Sequence, residues 1–242
     1  MGSEPNNVSG SIGHSYLAKT RRPLNCLMCL LPLLAAYEAG QMFYRDDLLA
    51  PASLAALLEP FGAPARLVPP VLIVLVLLSW HVLSRQAWHV DGEVLLGMYA
   101  ESVVAMMPLF GLSKLLATVA ASFSGLAAGG LPADKAALVL SGIGAGIYEE
   151  FLFRLIAIGL LLVLTVDVLN APRKPMVVVA IVLSSVVFSL SHFLGTGQFH
   201  WGSFIFRALA GAYLAVIYVF RGFGIAVGTH ACYNVALTLL PV

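Results

Sequence analysis

Three clusters of polar side chains stand inside long apolar stretches of this chain. They are Glu149 and Glu150 with Arg154, Phe188 with His192, and His230 with Asn234. Ionisable groups are costly in a membrane span, so such residues are functional-site candidates and each needs a partner. Carboxylates and imidazoles are also the side chains that most often move protons in enzymes. The three clusters are therefore the first candidates for a reaction centre.

The first cluster contains one paired and one unpaired acid. Glu150 and Arg154 are four residues apart, so they share a helix face with the glutamate on the N-terminal side, the better order for an ion pair. Glu149 points about 100° around the helix from Glu150. We expect the Glu150–Arg154 pair to be structural and Glu149 to be available for chemistry.

The other two clusters supply groups that complement a free acid. Phe188 lies one helical turn before His192 and can wall its ring, while His230 and Asn234 present two polar tips on one face. A carboxylate and a histidine in apolar surroundings can hold and deprotonate one water. A second histidine and an amide can stabilise an oxyanion. This set suits hydrolysis of a peptide bond without a covalent intermediate.

The ordered motifs resemble those of the CAAX-protease and bacteriocin-processing (CPBP, Abi) family, which includes type II CAAX prenyl endopeptidases. The residues that carry the resemblance are Glu149-Glu150-x-x-x-Arg154, Phe188-x-x-x-His192 and His230-x-x-x-Asn234, and it runs from about residue 136 to the C-terminus. It implies an all-helical intramembrane protease. Glu149 with His192 would activate water, and His230 with Asn234 would face the oxyanion. Glu150, Arg154 and Phe188 would support them. One departure is Leu155, which follows Arg154 where many relatives have glycine.

Zinc and two other functions stay open. The family is often labelled a metalloprotease, yet the chain has no His-Glu-x-x-His motif. Glu149, His192 and His230 could still form a three-ligand site. A non-catalytic membrane binding or immunity factor of the same family is one alternative function. A small proton-coupled transporter that uses the same groups as a relay is another, although the sequence lacks paired inverted repeats.

Composition predicts the elements that hold these residues. The chain is 60% hydrophobic and 10% charged, against about 25% charged residues in soluble domains. A net charge of +1 argues against a nucleic-acid partner, and three cysteines do not make a disulfide scaffold. A membrane-spanning helix needs about 20 apolar residues, and the sequence contains about seven stretches of this kind. We predict an all-α polytopic bundle with spans at 24–44, 67–84, 94–122, 136–166, 176–194, 203–220 and 223–240.

We read the 242 residues as one membrane domain. A polar leader covers 1–23, variable spans cover 24–135 and the CPBP-like core covers 136–242. A cleaved signal peptide is the alternative for the first span, but the long leader favours an uncleaved anchor. Residues 45–66, with an interfacial helix near 54–58, and residues 127–133 are expected to be loops.

Lysine and arginine in the short loops predict the orientation. Seven lie on the side of the N-terminus and three on the other side, which favours a cytoplasmic N-terminus. We expect a prokaryotic inner (plasma) membrane. Glu149 lies about 27 Å from Asp167 and His192 about 24 Å from Met176, so both approach the non-cytoplasmic face. The expected partners are the lipid bilayer and a membrane-associated or exported protein or peptide substrate.

Three further expectations concern packing. Gly142 and Gly146 form a small-xxx-small pair that lets another helix approach closely. Arg207, early in the sixth span, is expected to snorkel to the membrane surface. His81 lies near a span end and is expected to be wet.

Overall fold

The computed structural model describes residues 16–44, 68–121, 134–194 and 199–240. Within these ranges every regular element is helical. The loops and the interfacial helix expected at 45–66 and 127–133 lie outside the described residues.

Besides a short helical segment at residues 16–20, the described part of the bundle has seven helices when the long fourth helix is counted once. They are α1 (Pro23–Phe43), α2 (Val68–Leu83), α3 (Gly92–Ala121), α4 (Lys135–Val168), α5 (Arg173–Ser191), α6 (Trp201–Arg221) and α7 (Phe223–Leu239). Five of them, α1, α3, α4, α5 and α6, are long and apolar enough to cross a membrane, while α2 and α7 are shorter apolar helices. The predicted helical membrane bundle is confirmed, and its count of seven spans is approximate.

Local chemistry sets several helix ends. Pro23 opens α1, where its missing N–H costs little. The Asp134 side chain caps α4 by accepting a hydrogen bond of 2.9 Å from the Ala136 amide. Gly222 separates α6 from α7 with a φ of 100°, a conformation that side chains with a Cβ rarely adopt. A Cβ at Gly222 would also lie 3.1 Å from the Thr20 carbonyl oxygen. Both the backbone conformation and this close contact therefore favour glycine at the junction.

The fourth helix is not a regular α-helix along its whole length. Lys135–Glu150 is α-helical, Phe151–Ile158 and Val163–Val168 are π-helical, and Gly159–Leu162 is α-helical between them. Single π turns occur often at functional sites, and here the first π segment begins directly after Glu150. Wider turns rise less per residue, so Glu149 is less deep than a purely α-helical count of about 27 Å gives.

The seventh helix lies at the centre of the bundle, and most residues of its first half are buried. It packs closely on α4, because a Cβ at Gly146 would lie 2.7 Å from the Ala231 backbone nitrogen. A Cβ at Gly142 would lie 2.9 Å from the Asn234 Cβ. The predicted close approach at these two glycines is present, and α7 is the helix that uses it.

Contacts at one end of the bundle agree with the predicted alternation of spans. Lys19 Nζ lies 2.7 Å from Asp91 Oδ2, which joins the leader to the α2–α3 connection. Arg21 Nε donates to the Phe220 carbonyl oxygen at 2.9 Å, which joins the leader to the end of α6. The leader, this connection and the α6–α7 junction therefore share one end.

The expectation that His81 is wet is wrong. Its residue exposure is 0%. Its ring packs edge-on against Trp88 with the centroids 4.6 Å apart, because the chain after α2 folds back and covers the end of the helix.

Candidate active site

Three helices bring the predicted clusters together. Glu149 and Glu150 end the first α-helical part of α4, His192 is the C-cap of α5, and His230 lies in the middle of α7. Glu149 Oε1 is 3.7 Å from His192 Nε2, and Glu149 Oε2 is 3.8 Å from His230 Nε2. Each oxygen of one carboxylate thus faces a different histidine ring.

The hydrogen bond of His192 to the backbone fixes which ring nitrogen faces Glu149. His192 Nδ1 lies 2.9 Å from the Phe188 carbonyl oxygen. A carbonyl can only accept, so Nδ1 carries the proton in this contact. In the neutral ring the lone pair is then on Nε2. A proton acceptor on α5 therefore points at the Glu149 carboxylate on α4.

Glu150 is the centre of a buried charge network. The Glu150 and Arg154 side chains are both 0% exposed, and Arg154 Nη1 lies 3.1 Å from Glu150 Oε1. The predicted contact between them is present. The same oxygen accepts a hydrogen bond of 2.8 Å from His230 Nδ1. Arg154 Nη2 also donates to the Gly211 carbonyl oxygen at 3.0 Å, which ties the network to α6.

The Phe188 ring packs against both this network and the two histidines. Its ring centroid is 4.8 Å from that of His192 and 6.1 Å from that of His230. The Arg154 guanidinium carbon lies 4.5 Å from the same centroid, a distance typical of a cation–π contact. The expected wall beside His192 is present, and the same ring also covers the buried arginine.

Asn234 lies one turn after His230, as the sequence predicts, and its amide already has a partner. Asn234 Nδ2 donates to the Gly142 carbonyl oxygen at 3.0 Å. An amide nitrogen carries two N–H bonds, so a second donor remains. The bond to Gly142 holds the side chain against α4, close to the acidic cluster.

Exposure differs among the facing side chains. Glu149 and His230 are 9% and 8% exposed in their side chains, whereas His192 is 25% exposed. The candidate site therefore opens on the side of His192, at the end of α5.

The described residues contain no group of three His, Cys, Asp or Glu side chains arranged to hold a metal ion. Zinc binding by Glu149, His192 and His230 stays a prediction.

Two polar neighbours of the site were not predicted from the sequence. Tyr148, next to Glu149, donates a hydrogen bond of 2.6 Å to Glu38 Oε1 on α1. Arg207 on α6 lies half-buried with its guanidinium carbon 5.5 Å from the Phe193 ring centroid. That it snorkels to the membrane surface stays a prediction. Ala210, Gly211 and Leu214 follow it at helical spacing and are buried, but residues of these types are also compatible with a lipid-facing surface.

Residues 132–236 match the family described as type II CAAX prenyl endopeptidase Rce1-like. The match covers somewhat less than half of the chain and includes all three motifs. It confirms the predicted resemblance to CAAX proteases, a family of membrane peptidases. No curated protein and no solved structure matches the chain. With five helices suited to crossing a membrane, the chain is an integral membrane protein.

Proposed function

We propose that this chain, with its match to a family of CAAX-type peptidases, is an intramembrane endopeptidase that uses Glu149 and His192 to activate water. The observation that carries the proposal is the facing arrangement of the Glu149 carboxylate and His192 Nε2, 3.7 Å apart. That separation is longer than a direct hydrogen bond, and a polar gap of this size suits a bridging water.

The proton positions give such a water two acceptors. His192 Nδ1–H is used by the Phe188 carbonyl, so His192 Nε2 can accept one water proton. Glu149 Oε1 can accept the other. A water that donates a hydrogen bond to each group keeps a lone pair free to attack a carbonyl carbon. One proton passes to the base as the C–O bond forms and is then given to the leaving amine as the C–N bond breaks, which is general-base hydrolysis.

We assign His230 and Asn234 to stabilisation of the oxyanion. His230 Nδ1–H donates to Glu150, so the ring can donate toward substrate only when Nε2 also carries a proton. The second N–H of Asn234 lies one helical turn away. Removal of a single oxyanion donor typically lowers kcat about 100- to 1,000-fold.

Glu150, Arg154 and Phe188 support this machinery without touching the substrate. The buried pair fixes Glu150, and Glu150 in turn orients His230. The backbone carbonyl of Phe188 accepts the hydrogen bond that keeps the His192 proton on Nδ1. We assign all three as positioning residues.

The substrate is a membrane-associated or exported protein or peptide. If the N-terminus is cytoplasmic, the distances counted along the helices from Asp167 and Met176 put Glu149 and His192 toward the non-cytoplasmic face. We also propose a prokaryotic inner membrane, which suits a multi-span protein of this size.

Cleavage by the purified full chain in liposomes tests the proposal. The substrate is a mixed-sequence library of N-acylated apolar peptides, and mass spectrometry identifies the products. We expect the parent protein to cut peptides and Glu149→Gln to fold but cut none. Glu93→Gln, which removes an exposed acid at the start of α3, is the control and should retain full activity.

Two outcomes would overturn the proposal. One is cleavage by Glu149→Gln at the parent rate. The other is an absence of cleavage by the parent protein, which would favour a binding or immunity factor, or, with a pH-driven flux in the same liposomes, a transporter.

A further inference from the structure

Glu38 is an acid in α1, a helix that lies outside the family match at residues 132–236. An ionisable side chain in a candidate membrane span marks a functional site by default. In the ranges that the structure describes, Glu38 forms no ion pair. Its contact is with a neutral donor, because the Tyr148 hydroxyl donates a hydrogen bond of 2.6 Å to Glu38 Oε1. The acid therefore serves as a hydrogen-bond acceptor for the residue next to Glu149.

The packing of α1 on α4 buries the Tyr148 side of this contact. The Tyr37 ring, next to Glu38, lies edge-on to the Tyr148 ring with the centroids 5.4 Å apart. Gly144, one turn before Tyr148, leaves room for Tyr37, since a Cβ there would overlap its ring. Tyr37 and Tyr148 are both 3% exposed. A buried phenol needs an acceptor within the protein, so the bond to Glu38 holds the Tyr148 ring against α1.

The two neighbours of Glu149 are both anchored to other helices. Successive residues of an α-helix point about 100° apart, so Tyr148 and Glu150 point to nearly opposite sides with Glu149 between them. Tyr148 is bound to α1 through Glu38, and Glu150 is bound to α7 through His230. The rotation of this turn of α4 is therefore fixed from two sides.

Glu149 itself has no contact of hydrogen-bond length with either facing histidine. Its oxygens lie 3.7 Å from His192 Nε2 and 3.8 Å from His230 Nε2, and both distances are longer than a direct hydrogen bond. The direction of the carboxylate therefore depends on the backbone of α4 that carries it.

That backbone changes its hydrogen-bond register directly after the acidic pair. Phe151–Ile158 is π-helical, and the Phe151 N–H is shared between the Ile147 and Tyr148 carbonyl oxygens. Single π turns inside α-helices occur often at functional sites. Where two registers meet, the backbone hydrogen bonds alone do not define the direction of Glu149, so the anchors on its neighbours decide it.

We infer that Glu38 and Tyr148 are positioning residues that hold Glu149 opposite His192, an inference that rests on the proposed endopeptidase function. They act through Glu149: Glu38 binds the Tyr148 hydroxyl, and the Tyr148 backbone carries Glu149. A misplacement of about 1 Å can lower the rate of a reaction about 100-fold. The first helix, which the family match does not include, thus contributes to the candidate active site.

Kinetics of the purified full chain in liposomes test the inference, with one N-acylated peptide that the parent protein cuts. Tyr148→Phe removes the donor and Glu38→Met removes the acceptor. We expect each variant to lower kcat roughly 10- to 100-fold with KM unchanged. The double variant should lower kcat no further, because the same bond is lost in all three.

Two further variants separate the hydrogen bond from other effects. Glu38→Gln should keep most of kcat, since its amide oxygen still accepts a hydrogen bond. Tyr99→Phe is the matched control, because it removes another tyrosine hydrogen bond to α1, of 2.7 Å to the Cys29 carbonyl oxygen. It should keep the parent kcat.

Three results would overturn the inference. One is a parent kcat in Tyr148→Phe. Another is an equal loss in Glu38→Gln and Glu38→Met, which would indicate that the charge of Glu38 matters and not its acceptor oxygen. The third is an equal loss in Tyr99→Phe, which would indicate a general effect on packing. If Tyr148→Phe does not fold, the comparison of Glu38→Met with Glu38→Gln decides.

If the parent protein cuts no peptide, the proposed function fails, and nitrogen NMR of ring-labelled histidine decides the inference. Each Glu149 oxygen faces one of the two rings, so a displaced carboxylate changes their signals. The signals of His192 and His230 should then shift in Tyr148→Phe and stay at the parent positions in Tyr99→Phe. Unchanged signals in Tyr148→Phe reject the inferred positioning.

Discussion

His230 Nδ1 and Glu150 Oε1 are joined by a buried hydrogen bond of 2.8 Å. The bond links a residue assigned to the oxyanion with one assigned to structural support. The opposite nitrogen of the same ring faces Glu149 at 3.8 Å. The two neighbouring glutamates on α4 thus contact opposite sides of one histidine. The orientation of the His230 ring therefore depends on Glu150, whose negative charge is balanced by Arg154.

Arg154→Met should strongly destabilise the fold. The substitution leaves Glu150 buried without its cation, and breaking a buried pair from one side costs about 3–5 kcal/mol in free energy of unfolding. Thermal unfolding in detergent micelles measures the loss. The double variant Glu150→Gln with Arg154→Met should recover most of it, because no uncompensated charge remains. A double variant as unstable as the single one would contradict the charge account.

Gly146→Ala should weaken both stability and peptide cleavage. The added Cβ would lie 2.7 Å from the Ala231 backbone nitrogen, so α7 must shift and carry the adjacent His230 with it. Overpacking of this kind costs about 1–3 kcal/mol. Gly159→Ala is the matched control on the same helix, since nothing lies within 4 Å of its added Cβ. Unfolding and cleavage assays that show equal effects of the two substitutions would reject the close-packing argument.

The Tyr16 hydroxyl donates a hydrogen bond of 3.1 Å to Glu101 Oε2, and this contact predicts a loss of stability in alkaline solution. Burial and the neighbouring Glu101 carboxylate raise the pKa of Tyr16 from 10.0 to about 12. Because the pKa is raised in the folded state, the contribution of Tyr16 to the free energy of unfolding is fully present below pH 10.0 and is lost as pH rises through about 12. Unfolding temperature should fall more steeply over this interval in the parent protein than in Tyr16→Phe. Parallel curves for both proteins would refute this linkage.

Local patterns were enough to predict part of the site. The helix bounds and the Glu150–Arg154 contact depend on residues close in sequence, so apolar run length and the spacing of four residues were sufficient. The His230–Glu150 bond joins residues 80 positions apart and depends on how α7 rotates against α4. Gly142 and Gly146 indicated that a helix approaches there, but not which one.

Other features needed the packed structure. The direction of Arg207 follows from the rotation of α6, and the small residues that turn this face inward are also compatible with a lipid-facing surface. The π-helical segments of α4 have no clear signature in an apolar run. His81 is buried because Trp88 folds over it, which is a contact made after the helix ends.

Cleavage should survive removal of divalent metal ions. Water activation by Glu149 and His192 requires only the two acceptors described above, so a chelator should leave the rate of peptide hydrolysis unchanged. Metal analysis of the purified protein, made before and after chelation, accompanies the assay. Loss of activity with the chelator and its recovery with zinc would contradict the metal-free proposal and would favour Glu149, His192 and His230 as ligands.

The most direct test of the central claim compares membrane and secreted proteins from cells that carry the parent chain, Glu149→Gln or the control Glu93→Gln. Quantitative proteomics of peptide termini is the measurement. The proposed role of Glu149 predicts that at least one unprocessed precursor accumulates in Glu149→Gln cells and not in Glu93→Gln cells, at equal amounts of the protease. Complete processing of every precursor by the Glu149→Gln protein would contradict it.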